Sequence, residues 1–181
     1  MSVLPLTLQI LLLLVVGTAA VYDYRERRVP NWLALAGILL GAGANFALYQ
    51  AGGLMTSLKG LGLAFLIYFP LYLLRGMGAG DVKLMGAVGA IVGPYNWLAI
   101  LVLTSVFGAV TAIILVLSKG RFRRTFQNIG MLLISMRYGQ APYESNPELD
   151  VRNEQAVRLP HAISIALGAI SFLIAAMWAP K

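Results

Sequence analysis

The sequence predicts an all-α polytopic membrane protein, and three observations carry that reading. Of its 181 residues, 59% are hydrophobic and 12% are charged, and the mean hydropathy is +0.79, far too apolar for an ordinary water-soluble domain. The apolar residues gather into long runs, and a helix crossing a ~30 Å hydrocarbon core needs about 20 of them. The basic residues flank those runs on one side, as cytoplasmic loop charges do in membrane proteins.

Six transmembrane helices are expected in one membrane-embedded domain, 1–181: residues 4–22, 31–49, 58–74, 81–92, 97–117 and 160–178. The first run has no Lys or Arg before it, whereas Arg25, Arg27 and Arg28 follow it. That order is opposite to a secretory signal, so the run is read as a retained helix. The second span starts at Pro30-Asn31, by turn and cap chemistry. The third ends at Leu74, just before Arg75. The fourth is short, stops at Gly93-Pro94, and carries Gly86, Gly89 and Gly93 with Ala87 and Ala90. Small residues at this spacing let helix backbones pack closely; close packing and a functional role are both open for these glycines. The fifth and sixth spans are continuous apolar runs.

Between them lies the one polar stretch, residues 119–158. Its first part places Phe122, Phe126, Ile129, Leu133 and Met136 on one helical stripe, with arginines elsewhere. That pattern suits a helix lying in the membrane interface. The remainder is polar, with two prolines, and reads as a loop; a re-entrant hairpin is the competing reading.

Charge fixes the orientation. With both termini outside, only Lys59 and Lys181 of the 14 Lys and Arg residues fall on the outer side. The positive-inside rule selects this topology over its reverse. The same placement sets nucleic acid aside as the explanation of the net charge of +7. Cysteine is absent, which excludes disulfides, thiolate nucleophiles and thiolate metal sites. A single histidine and no acidic cluster at ligand spacing leave no metal site, and no cofactor is called for.

The chemistry most available is a carboxylate pair. Asp150 lies in the polar stretch, where a solvated charge is the default. Asp23 ends the first span and Asp81 starts the fourth, so the topology puts both at one depth on the inner side. Membrane-edge charges are the plain alternative. Two adjacent carboxyls share a proton. One takes a proton from water while the other polarises a peptide carbonyl, the logic of aspartic proteases. The dipole at a helix N-terminus and Lys83 favour charge on Asp81; a helix C-terminus disfavours it on Asp23, with Arg25, Arg27 and Arg28 acting the other way. Gly76, Gly78 and Gly80 precede Asp81. Lacking Cβ, they are expected to reach positive φ and to let substrate and water approach.

The stretch Gly78-Ala-Gly-Asp81 followed by Val-Lys-Leu, with YDYRERRVPNWL upstream, resembles the type IV prepilin peptidases, most closely the small Flp or tight-adherence type. The likeness covers nearly the whole chain. It implies an aspartic endopeptidase of the bacterial inner membrane, with Asp23 and Asp81 as the catalytic pair. Gly76, Gly78, Gly80, Lys83 and Asn31 would support the site or the approach of substrate. Substrates would be prepilins or pseudopilins, cut between a short basic leader and a hydrophobic helix on the cytoplasmic face. The cysteine-containing domain of the larger members is missing, so cleavage without methylation is expected. The family's late Pro-Tyr is Pro160-His161 here, and His161 is read as structural or interfacial. Glu144, Glu148, Asp150 and Glu154 are weak candidates to meet a basic leader. A second reading, from another class, is a non-enzymatic subunit of a pilus assembly, secretion or transport complex, with the aspartates as an ion relay or structural link.

Overall fold

The computed structural model describes residues 4–118, 130–131 and 161–178. Among them are four α-helices and no strand: α1 (Leu6–Glu26), α2 (Asn31–Leu73), α3 (Ala79–Ser118) and α4 (His161–Trp178). Each is long and apolar enough to cross a membrane. The expected interfacial helix and loop at 119–158 lie outside the described residues, apart from 130 and 131.

Four helices stand where six were expected, because α2 and α3 each span two of the expected segments. Each is broken at one residue. In α2 the break is Gln50, at φ 55° and ψ −141°. In α3 it is Gly93, at φ 75° and ψ 174°. The chain doubles back at both points. Asn45 and Gly53 would stand about 12 Å apart on a straight helix, yet a Cβ on Gly53 would collide with the carbonyl of Asn45. Trp97 and Met85 would stand about 18 Å apart, yet the Trp97 indole N–H donates to the Met85 carbonyl at 3.0 Å. The stretch between the second and third expected spans is therefore helical up to the break and after it. Nothing in Ala51-Gly-Gly-Leu-Met-Thr-Ser57 forbids a helix, since glycine only weakens one.

The break in α3 has a covalent cause. Pro94 carries no N–H, so the carbonyl of Ala90 loses its helical donor. Asn45 Nδ2 (3.1 Å) and Ser57 Oγ (2.7 Å) donate to that carbonyl from α2 instead. Asn45 also donates to the carbonyl of Ile91 at 3.0 Å. Two buried polar side chains of α2 thus repair the end of the helix in α3 that the proline opened.

The first half of α3 is the centre of the molecule. From Val82 to Gly93 every residue but Lys83 is buried. Packing around it is close because glycines face glycines. A Cβ on Gly60 would run into the Gly89 carbonyl, and one on Gly89 would run into the Gly60 carbonyl. Gly86 packs under Phe65, and Gly37 and Gly41 of α2 lie against Ala87 and Ile91. Close packing accounts for Gly86 and Gly89. Leu8, Leu12 and Val16 of α1 and Ile165 and Phe172 of α4 complete the core.

Candidate active site

Asp23 sits in the last turn of α1. The helix runs three residues beyond it to Glu26 and closes with Arg27 in the left-handed region, whose N–H donates to the Asp23 carbonyl. Its side chain is buried, at 7% exposure. The carboxylate Oδ2 accepts the backbone N–H of Ala162 at 3.1 Å. That N–H belongs to the first turn of α4, where helix donors have no partner within the helix. Arg27 and His161 are close enough for their charges to act on Asp23. Ring atoms of His161 lie against Gly108 of α3, where a Cβ would come within 3.8 Å of its Cε1.

Asp81 occupies the first turn of α3. The N–H groups of Asp81 and Val82 donate to the Gly78 carbonyl at 3.2 and 3.4 Å, and the Asp81 carboxylate accepts the Gly78 N–H in return. This reciprocal arrangement resembles a capping box, with aspartate at the position where glutamate or glutamine is usual. Asp81 lies close enough to Asp23 to feel its charge, although they are 58 positions apart in the chain. The fold therefore brings the two predicted aspartates to one end of the bundle.

The expectation from helix ends alone, charge favoured on Asp81 and disfavoured on Asp23, took no account of α4. The C-terminus of α1 disfavours a negative charge on Asp23, but the N-terminus of α4 favours one and donates to it. Helix dipoles therefore no longer separate the two carboxyls.

The glycines depart from expectation as well. None of Gly76, Gly78 and Gly80 has positive φ; among the described residues Gly93 is the one glycine that does. The left-handed residue here is Arg75, at φ 55°. Arg75 N–H donates to the Tyr72 carbonyl and Gly76 N–H to the Leu71 carbonyl, both at 3.0 Å, which is a Schellman motif with arginine in glycine's usual place. Gly78 and Gly80 serve by close approach. A Cβ on Gly78 would lie 3.3 Å from the Asp81 carboxylate, and one on Gly80 would lie 3.2 Å from the Val29 Cβ. Gly80 thus seats the start of α3 against the connection between α1 and α2. Gly76 is open to within 3.6 Å of the Leu71 carbonyl.

Lys83 and Asn31 meet. Lys83 Nζ donates to Asn31 Oδ1 at 2.9 Å on the exposed side of the site. Helix α2 begins at Asn31 as expected, but Pro30 is the cap residue and no side chain caps the helix. The amide that was to cap it holds Lys83 instead.

Tyr68 was not foreseen. It is buried at 3% exposure, feels the charge of Asp81, and packs edge-on against Trp97 with centroids 6.0 Å apart. One tyrosine among eight in an apolar run carries no sequence signal. The Ala162 N–H was equally illegible, since a backbone donor has no residue type.

A family model described as the type IV leader peptidase family matches residues 10–113. That span holds Asp23, Asp81, Lys83, Asn31 and the three glycines, and it stops short of α4. No curated protein and no solved structure matches the chain.

Proposed function

Since the chain belongs to the type IV leader peptidase family, we propose that it is a membrane aspartic endopeptidase using Asp23 and Asp81. The observation that carries this reading is their convergence: Gly80, next to Asp81 at the start of α3, packs on Val29 of the connection that follows Asp23 and α1, and Asp81 feels the charge of Asp23. One ionised carboxylate takes a proton from a water molecule. The resulting hydroxide adds to the peptide carbonyl carbon while the other, protonated carboxyl donates to the carbonyl oxygen. The tetrahedral intermediate then collapses: the C–N bond breaks, the amine nitrogen takes a proton, and a new carboxyl is released.

The substrate is a Flp-type prepilin or pseudopilin, with a short basic leader ahead of a hydrophobic helix that lies in the bilayer. The site faces the cytoplasm of a bacterial inner membrane, and the chain crosses six times with both termini outside. Two facts support that count: α2 and α3 double back at Gln50 and Gly93, and the basic residues gather on the side of the aspartates. Access for an unwound peptide comes from the Gly76-to-Gly80 connection, whose backbone carries no side chain at alternate positions.

Co-expression with a Flp-type prepilin tests this. The prepilin gains mobility on a gel as its leader is removed; an unshifted band in cells containing folded enzyme counts against the proposal. One observation favours a second reading. Asp23 joins α1 to α4 through Ala162, so a non-enzymatic subunit would use it as a structural link. In that case Asp23→Asn, which still accepts the N–H, leaves the subunit's role intact.

A further inference from the structure

Helix α4 lies outside the residues that the family model matches, yet it touches the site. Its first turn donates a hydrogen bond to the site, from the Ala162 N–H to Asp23 Oδ2 at 3.1 Å, and both partners are buried. The rest of α4 fixes that turn in place. Gly168 packs against the backbone of Thr104, so closely that a Cβ there would come within 2.7 Å of the Thr104 nitrogen. Ala162, Ile165, Ala169 and Phe172 are fully buried. The His161 ring is seated on Gly108. The first turn of α4 is thus clamped between the end of α1 and the second half of α3.

We propose that this turn is a positioning element for Asp23: the Ala162 N–H fixes the rotamer of the carboxylate, so the last helix completes a site whose acids come from α1 and α3. A carboxylate free to rotate at the end of α1 spends time aimed away from Asp81. Tethering one oxygen to a rigid helix start leaves the other free for water. Ala162 itself touches no reacting atom, and its role is orientation. The proposal rests on the peptidase reading given above.

Ala162→Pro removes this N–H and no other. First-turn donors have no partner inside the helix, so no ladder bond is lost. Ala162→Gly retains the N–H and is the control. With a synthetic peptide carrying a basic leader and a hydrophobic segment, Ala162→Pro is expected to lower kcat about 10- to 100-fold with KM unchanged, while Ala162→Gly stays near the parent. An unchanged kcat for Ala162→Pro, or a loss confined to KM, overturns the proposal. Proline also biases His161 away from helical angles, so a second measurement stands apart from folding of that variant and from activity. Amide exchange at Ala162, read by NMR on the intact chain in nanodiscs, is expected to speed up about tenfold in Asp23→Ala. An unchanged exchange rate overturns the proposal whatever the kinetics show. Persistence of cleavage in Asp23→Asn strikes the peptidase reading instead, and the exchange experiment is unaffected by it.

Discussion

Asn45 donates its side-chain amide to the carbonyl oxygen of Ala90 at 3.1 Å, 45 residues away in the chain. The bond exists because Pro94 left that carbonyl without a helical donor. Ser57 serves the same oxygen at 2.7 Å. Asn45→Ala is expected to cost about 0.5–1.5 kcal/mol, the usual net value of a hydrogen bond, because Ser57 still serves the Ala90 oxygen. Ser57→Ala is expected to cost less, since Asn45 keeps its bonds to the carbonyls of Ala90 and Ile91. The double variant should lose more than the sum of the two, because only then is the oxygen orphaned. Reversible unfolding in mixed micelles measures all three.

The contact between Gly60 and Gly89 sets how closely α2 can approach the central half of α3. Gly89→Ala drives a methyl into the Gly60 carbonyl and is expected to destabilise by about 1–3 kcal/mol, as overpacking does. Gly62, two residues along, has nothing within 4 Å. There Gly→Ala is expected to stabilise the helix by about 0.4–1 kcal/mol, through lost freedom in the unfolded chain. The two variants should move the unfolding midpoint in opposite directions.

Arg75 holds the left-handed position of a Schellman motif at φ 55°, a conformation that costs an L-residue roughly 1–2 kcal/mol. Arg75→Gly is expected to keep the turn and relieve part of that cost. Arg75→Val adds a β-branched side chain where none fits and is expected to be clearly less stable than Arg75→Gly. The difference between the two variants, read from unfolding midpoints, isolates the backbone effect from loss of the charge.

The proposed aspartate pair, sharing one proton, predicts a pH dependence with two limbs. At low pH the base carboxylate becomes protonated and water is no longer activated. At high pH the acid loses its proton and the carbonyl is no longer polarised. The cleavage rate is expected to rise, peak and fall, with limbs that change about tenfold per pH unit. Initial rates over a buffered pH series, with the fold checked at each end, show whether both limbs are present.

Much of this was legible in the residues. Asp23 and Asp81 stood out because an apolar chain with one histidine and no cysteine leaves few other reactive groups. Expecting both on one side of the membrane needed only the basic residues. The helix start at Asn31 and the break at Gly93-Pro94 followed from local chemistry. Other features depended on the tertiary fold. Gln50 breaks α2 although nothing in its residue type marks a turn, because the reversal is held by packing of Gly53 on Asn45. Positive φ fell to Arg75 and not to the glycines beside it, because α2 ends at Leu73 with Leu74 as its cap, so the left-handed position after the cap comes one residue before Gly76. The bond between Asp23 and Ala162 joins residues 139 apart through a backbone group, and no pattern of side chains announces it.

The account turns on Asp23 and Asp81 acting together, and the most direct test is cleavage by the purified Asp23→Asn and Asp81→Asn variants. Each substitution keeps the shape of the side chain and removes the acid. With a peptide bearing a basic leader and a hydrophobic segment, each folded variant is expected to lose cleavage by at least about 10³-fold, on the scale of removing a member of a catalytic unit. Cleavage at or near the parental rate in either one would contradict the account.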